Sequence, residues 1–303
     1  MNILALLIVL TVTLLLVEAE AKASKKYVMP WLCLEICDST AAIQDQLQTI
    51  YERRHLLSGV SFELYTLGGD CNIRKYTSAD VAPNGLTQVA SNVRAAGLDI
   101  WPMISSWPHP DSFITWMRKL FDDEACAETF ITQAVAEAQM NGYTGFNVDF
   151  EPTYNNNTSP ITSKDAQQYA LFIDKFAKKL NSEGFKLSVD VATWITTPGG
   201  PSFWNYTSIA ATEVNKGISM GTYTSNDQSF SHQLDLITNA FGNRAGVGLQ
   251  NVNATDNSPL SDEEVGFRFA AIKAAGVHEI DIWSMPIPPN FWPFIESFVR
   301  DEE

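Results

Sequence analysis

The stretch Tyr143 to Glu151 reads Y-T-G-F-N-V-D-F-E, and from Phe146 onward it alternates. In an extended strand Phe146, Val148 and Phe150 share one face, while Asn147, Asp149 and Glu151 share the other. Strands of a parallel sheet are normally apolar on both faces. A row of two carboxyls and a carboxamide therefore costs desolvation unless it lines a site. Pro152 ends the strand directly after Glu151.

Working outward from this strand, apolar β-rich runs alternate with amphipathic stretches. Strands are predicted near Tyr27 to Leu34, Val60 to Tyr65, Leu98 to Ile104, the stretch above, Lys186 to Ala192, Gly217 to Tyr223, Ala245 to Gln250 and Glu279 to Trp283. Helical spacing predicts helices between them, among them Ala41 to Leu56, Cys126 to Met140 and Ser163 to Ser182. The last of these has one apolar stripe of Tyr169, Phe172, Ile173, Phe176 and Leu180. Eight strands alternating with helices predict a single (β/α)8 barrel of the TIM type. No glycine-rich phosphate fingerprint follows any strand, which counts against a dinucleotide fold.

The 303 residues are 45% hydrophobic, enough for a large core in one domain. Residues 1–23 read as a secretory signal peptide, with an apolar run from Ile3 to Val17 and small residues at cleavage spacing; an uncleaved anchor is the alternative. Residues 24–303 then form the mature barrel, with no membrane span. The four cysteines (Cys33, Cys37, Cys71, Cys126) allow three disulfide pairings. Sequons begin at Asn156, Asn157, Asn205 and Asn253, and all of this fits a secreted or lysosomal glycoprotein. His55, His109, His232 and His278 are scattered without metal spacing, so no metal is expected. A formal net charge of −15 argues against nucleic acid or anionic membranes as partners.

In such barrels the site lies at the carboxyl ends of the strands. Glu151 is at that end and Asp149 one inward step deeper. Trp31, Trp107, Trp194, Tyr223 and Trp283 also fall at or just past strand ends. Aromatic walls over a carboxylate floor suit a sugar, whose CH faces stack on rings while its hydroxyls bond polar groups.

The motif Y-T-G-F-N-V-D-F-E resembles the D-G-x-D-x-D-x-E signature of glycoside hydrolase family eighteen, the chitinase family, with Asn147 at the middle acidic position as in its di-N-acetylchitobiase branch. L-S-V-D-V-A-T-W at Leu187 to Trp194, W-N-Y-T-S-I-A at Trp204 to Ala210, G-T-Y-T at Gly221 to Thr224 and I-D-I-W at Ile280 to Trp283 are similar to stretches of the same family. The resemblance implies a monomeric, cofactor-free hydrolase acting on N-acetylglucosamine-containing oligosaccharides through the substrate's own acetamido group. Glu151 would be the general acid and base, Asp149 the clamp on the acetamido N–H, and Tyr223 a donor to its carbonyl. Asn147 would support Asp149, Trp283 would floor the sugar, and Trp31, Trp107 and Trp194 would line the cleft. Only residues 251–278 separate the last two strands, so the α+β insertion of many chitinases is not expected.

The sequence departs from the family pattern at Thr144, in place of the first Asp, and at Gly221 and Thr224, in place of the Met and Asp of M-x-Y-D; Asp227 is a candidate substitute for the last. S-S-W replaces a glycine pair after the third strand. These departures keep a second reading in view, a barrel that binds sugar without hydrolysing it.

Overall fold

The computed structural model describes residues 26–34, 40–75, 83–152, 160–194 and 202–300. The signal peptide, Cys37, Asn156 and Asn157 lie outside them. The strands are β1 (Tyr27–Leu32), β2 (Gly59–Leu67), β3 (Ile73–Lys75), β4 (Asp99–Ser105), β5 (Gly145–Asp149), β6 (Lys186–Val191), β7 (Lys216–Ser219), β8 (Ala245–Gln250) and β9 (Glu279–Trp283). Apart from β3 they run parallel in the order β1-β2-β4-β5-β6-β7-β8-β9, and β1 also pairs with β9, closing a barrel of eight strands. The sequence did not indicate β3, three residues antiparallel to the end of β2 that extend the barrel rim outward.

The helices are α1 (Thr40–Arg53), α2 (Pro83–Ala95), α3 (Phe113–Asp122), α4 (Glu124–Asn141), α5 (Ser163–Ser182), α6 (Tyr206–Ala210), α7 (Asp227–Phe241), α8 (Asp262–Ala274) and α9 (Trp292–Arg300). Capping side chains set the starts of several of them. Thr162 and Asp165 close a capping box on α5, Ser261 and Glu264 another on α8, and Asp123 accepts from Ala125 N and Cys126 N at the start of α4. Arg118 of α3 forks onto Asp165 with two bonds of 2.8 and 2.9 Å, tying α3 to the start of α5. Residues 251–278, all described, carry α8 and the isolated bridge Val252↔Pro259, so the barrel has no α+β insertion there.

The alternation on β5 divides between two environments. Phe146, Val148 and Phe150 are buried between the barrel and the α5 stripe: Phe146 lies 6.3 Å from Phe176, and Phe150 6.2 Å from Tyr169. Asn147 and Asp149 point into the barrel, where Met29, Trp31, Trp101 and Ile218 form a separate small apolar cluster. Gly145 starts the strand where no side chain fits: a Cβ would sit 2.3 Å from the Lys186 carbonyl oxygen and 2.9 Å from the Trp101 ring. Gly145→Ala should therefore cost about 3 kcal/mol, readable as a lowered denaturant midpoint with an unchanged slope.

Thr144, the departure from the family signature, sits at the amino-terminal end of the barrel. Its hydroxyl accepts from Ile100 N at 3.0 Å and donates to Asp99 Oδ1 at 3.2 Å. The other Asp99 oxygen accepts from Tyr27, whose hydroxyl accepts from Trp101 Nε1 at 2.8 Å. Thr144 thus belongs to a polar belt that joins β1, β4 and β5 at the end opposite the acids.

One strand boundary is corrected. The strand predicted to reach Tyr223 ends at Ser219, because Thr222 donates to the Ser219 and Gly248 carbonyls and turns the chain out of the sheet. The stretch W-N-Y-T-S-I-A contains a short helix, α6, that Asn205 caps by accepting from Ser208 N. Of the three possible cysteine pairings, Cys71 joins Cys126 with Cα atoms 5.1 Å apart, linking the β2–β3 turn to the first turn of α4; Cys33 is also disulfide-bonded.

Candidate active site

At the carboxyl end of the barrel lies a cleft of about 530 Å³, lined by Trp31, Glu63, Ser105, Ser106, Trp107, His109, Asp149, Glu151, Trp194, Met220, Tyr223, Gln250 and Trp283. Seven of the eight residues singled out from sequence line it. Asn147 does not: it is fully buried below the floor, and its Nδ2 donates to Asp190 Oδ1 at 3.0 Å and Ser188 Oγ at 3.1 Å. The expected support of Asp149 by Asn147 is thus corrected. Asn147 holds Asp190, on the neighbouring strand β6, because the register Asn147↔Ser188 places the amide just below that carboxyl.

The backbone that carries the two acids is pinned by the S-S-W stretch. Ser106 N donates to the Asp149 carbonyl at 3.1 Å, and Ser106 Oγ both accepts from Glu151 N at 3.2 Å and donates to Glu151 O at 3.4 Å. Ser105 Oγ accepts from Trp107 N at 3.1 Å and so turns the chain toward the cleft wall. Hydroxyls here perform a task that glycines cannot, fixing the strand end from which Glu151 projects.

The aromatic walls come from separate elements. Trp31 and Trp283 meet edge to face with ring centroids 5.5 Å apart. Asn251 holds the segment after Trp283 by donating to the Ser284 carbonyl at 2.6 Å, while Met285 N donates to Trp31 O at 2.8 Å. Trp107 lies edge to face with His109 at 5.4 Å. Trp194 is the most open of them, 46% exposed at the rim and backed by Trp204 at 5.7 Å. The Tyr223 ring fills space left by Gly248, where a Cβ would approach the ring to 2.8 Å.

Burial dominates the electrostatics. It raises Glu151 to about 7. Asp149 lies well above the ordinary carboxylate range, first through burial and then through the charges of Glu151, Asp190 and Glu63. Asp190 and Asp281 are pushed up in the same way, and Glu279 is raised despite its 2.8 Å pair with Lys216. Burial also keeps His109 below its usual range, so it stays neutral at pH 7. Because these folded-state acids bind protons more tightly than their unfolded counterparts, their contribution to stability is full below about pH 4 and is lost as pH rises through the raised values. Acids held low by partners despite burial, Asp165 by Arg118 and Glu137 by Lys75, titrate below that window. The unfolding temperature should therefore fall by about 5 °C or more between pH 5 and pH 8, which calorimetry at constant ionic strength would read.

Sequence reasoning missed Glu63, Asp190 and Asp281, all buried and on barrel strands. Their signal was available: E-L at Glu63, V-D-V and I-D-I each place an acid inside an apolar strand. Asp227, the candidate substitute for the missing carboxylate near Thr224, does not line the cleft. It sits 3.6 Å from Arg268, whose guanidinium also donates to the Thr224 carbonyl at 2.9 Å.

No family model matches the sequence, and no curated protein is significantly similar to it. Solved structures share its fold. A class V chitinase from Pseudomonas fluorescens Pf-5 superposes with a TM-score of 0.71 at 13% identity, covering 91% of this chain and all of that one. The spore cortex-lytic enzyme SleL of Bacillus megaterium QM B1551 gives 0.70 at 10% identity, with 90% of this chain and 73% of that one covered. A class V chitinase from Nicotiana tobaccum in complex with NAG4 gives 0.66 at 11% identity over 91% and 98% of the two chains. At these identities the likeness establishes the architecture, a single (β/α)8 barrel of the kind chitinases use.

Proposed function

We propose that this chain is a glycoside hydrolase that cleaves β-1,4 bonds next to N-acetylglucosamine, in chitooligosaccharides or the chitobiose core of N-glycans, with retention of configuration. The observation that carries the reading is the pairing of Glu151 and Asp149 two residues apart on one strand end, at the floor of an aromatic-walled cleft, with Glu151 held near 7 by burial. A carboxyl with that pKa is protonated under mildly acidic conditions and can deliver its proton to a leaving glycosidic oxygen. Asp149 lies deeper on the same face, placed to receive the N–H of the sugar's acetamido group while its carbonyl oxygen attacks the anomeric carbon. Tyr223 OH, which has no hydrogen-bond partner among the described residues, is available to that carbonyl. Trp283 and Trp31 supply the apolar surface beneath the ring. The exported location, by signal peptide to the cell exterior or the lysosome, belongs to the same proposal.

The test is hydrolysis of chitotriose and chitotetraose followed by proton NMR during the first turnovers. Retained β-anomer at the new reducing end, with the rate falling as pH rises above about 7, is the expected result; an α-anomer would sink the substrate-assisted route. A second reading, sugar binding without turnover, draws on the wall near Thr224. There Asp227, the candidate substitute for the missing acid, is engaged by Arg268 and does not line the cleft. Saturable oligosaccharide binding with no product after days would favour it.

A further inference from the structure

Asp190 occupies the barrel floor beside Asp149, and nothing in the mechanism above uses it. The register Asn147↔Ser188 and Val148↔Val189, carried one residue further, sets Asp149 next to Asp190 on parallel strands about 4.8 Å apart. Both face inward: Asn147, two residues before Asp149, bonds Asp190, and Asp149 floors the cleft. Asp190 has no exposed surface. Its Oδ1 accepts from Asn147, whereas Asp190 Oδ2 and Asp149 Oδ1 are buried with no hydrogen-bond partner among the described residues. Two neighbouring carboxylates have acceptors only, so each leaves an oxygen unsatisfied; a single proton between them satisfies both.

We propose that Asp190 is a positioning residue that carries a proton on Oδ2 and donates it in a hydrogen bond to Oδ1 of Asp149, leaving Asp149 the anion of the pair. Asn147 assigns the roles: by donating to Asp190 Oδ1 it marks that atom as the carbonyl oxygen and leaves Oδ2 as the hydroxyl. Asp190, wholly out of solvent, is the cheaper of the two to keep neutral, while Asp149 borders the cleft where a substrate N–H would meet it. The surroundings allow few anions. Glu151 lies on the same strand end as Asp149, Asp281 projects from β9, Glu63 from β2 and Tyr223 from the turn after β7, while Tyr169, packed on Phe150 from α5, is near enough to feel the charges of the pair. Lys216, the cation that acts on Asp281, is itself paired with Glu279. Burial and then the Glu151 charge raise the Asp190 pKa, against the Asn147 bond that lowers it. Orienting Asp149 through a neutral acid avoids adding a further charge beside the acetamido clamp. The catalytic consequence rests on the function proposed above; the shared proton does not.

Carboxyl carbon NMR of protein labelled at aspartate tests the proton directly. One signal should keep the chemical shift of a protonated acid at pH 7 and vanish in Asp190→Asn. Finding Asp190 ionised at pH 7 overturns the proposal whether or not the protein hydrolyses anything. Kinetics on chitotetraose gives the second arm. Asp190→Asn still presents an amide donor to Asp149 and should keep kcat within about threefold, while Asp190→Ala should lose about 10²-fold in kcat with little change in KM. Equal loss in both variants, at matched unfolding temperatures, would reduce Asp190 to a packing residue.

Discussion

Glu151→Gln should abolish turnover while sparing recognition: kcat on chitotetraose drops by about 10²- to 10⁴-fold, and the dissociation constant for the same sugar stays within a few fold. The amide matches the carboxyl in shape and keeps the backbone bonds to Ser106, so the strand end stays where it is. What disappears is a titrating proton. The same variant should lose the alkaline limb that a group near pH 7 imposes on the wild type. Stopped assays for reducing ends and calorimetric titration with the oligosaccharide give the two numbers. Wild-type rates in the variant would show that some other group protonates the leaving oxygen.

Asp149→Ala should show the second-largest effect, a loss of about 10²- to 10³-fold in kcat, because the acetamido group then has no anion to orient it or to offset the positive charge it develops. Removing a buried acid with a raised pKa also relieves folding of an unfavourable burial, so the variant should be at least as stable as the wild type at pH 8, where that acid would otherwise have to ionise or retain a proton against solvent. Loss of activity together with unchanged or raised unfolding temperature is the signature. An Asp149→Ala protein that is both inactive and unfolded would instead place Asp149 among the residues that hold the barrel together.

Much of this molecule is written in its periodicities. The period-two row on β5 gave the fold's layering in advance, because a parallel strand between a filled barrel and a helix cannot tolerate acids on its outer face; Phe146, Val148 and Phe150 could only go toward α5. The eight strand runs were visible as apolar, β-rich segments set between amphipathic ones. The short elements were not. β3 owes its place to the Cys71–Cys126 bridge and to the pairing of Lys75 with Glu137, contacts between residues far apart in the chain, and α6 has only five residues in which to display a period. In the site, the lining aromatics were legible because strand ends in a barrel converge. The partner of Asn147 was not, since it depends on the register between β5 and β6, which no single strand encodes. Thr144 stood out only as a departure from the family pattern and is a link in a belt at the opposite end, a role set by contacts to β4 that its own strand does not encode.

The layering of β5 has a practical reach for protein engineering. Odd and even positions along five residues answer to different tests: those facing α5 decide whether the chain folds, and those facing the interior decide what protons it stores. A combinatorial library confined to positions 147, 149, 188 and 190 would explore ionisation patterns with the outer hydrophobic layer held constant, whereas one at 146, 148 and 150 would sample thermal tolerance with the acids untouched. Two selections run in parallel on these two neighbouring strands could then recombine their winners, since the residues they alter on β5 point away from each other.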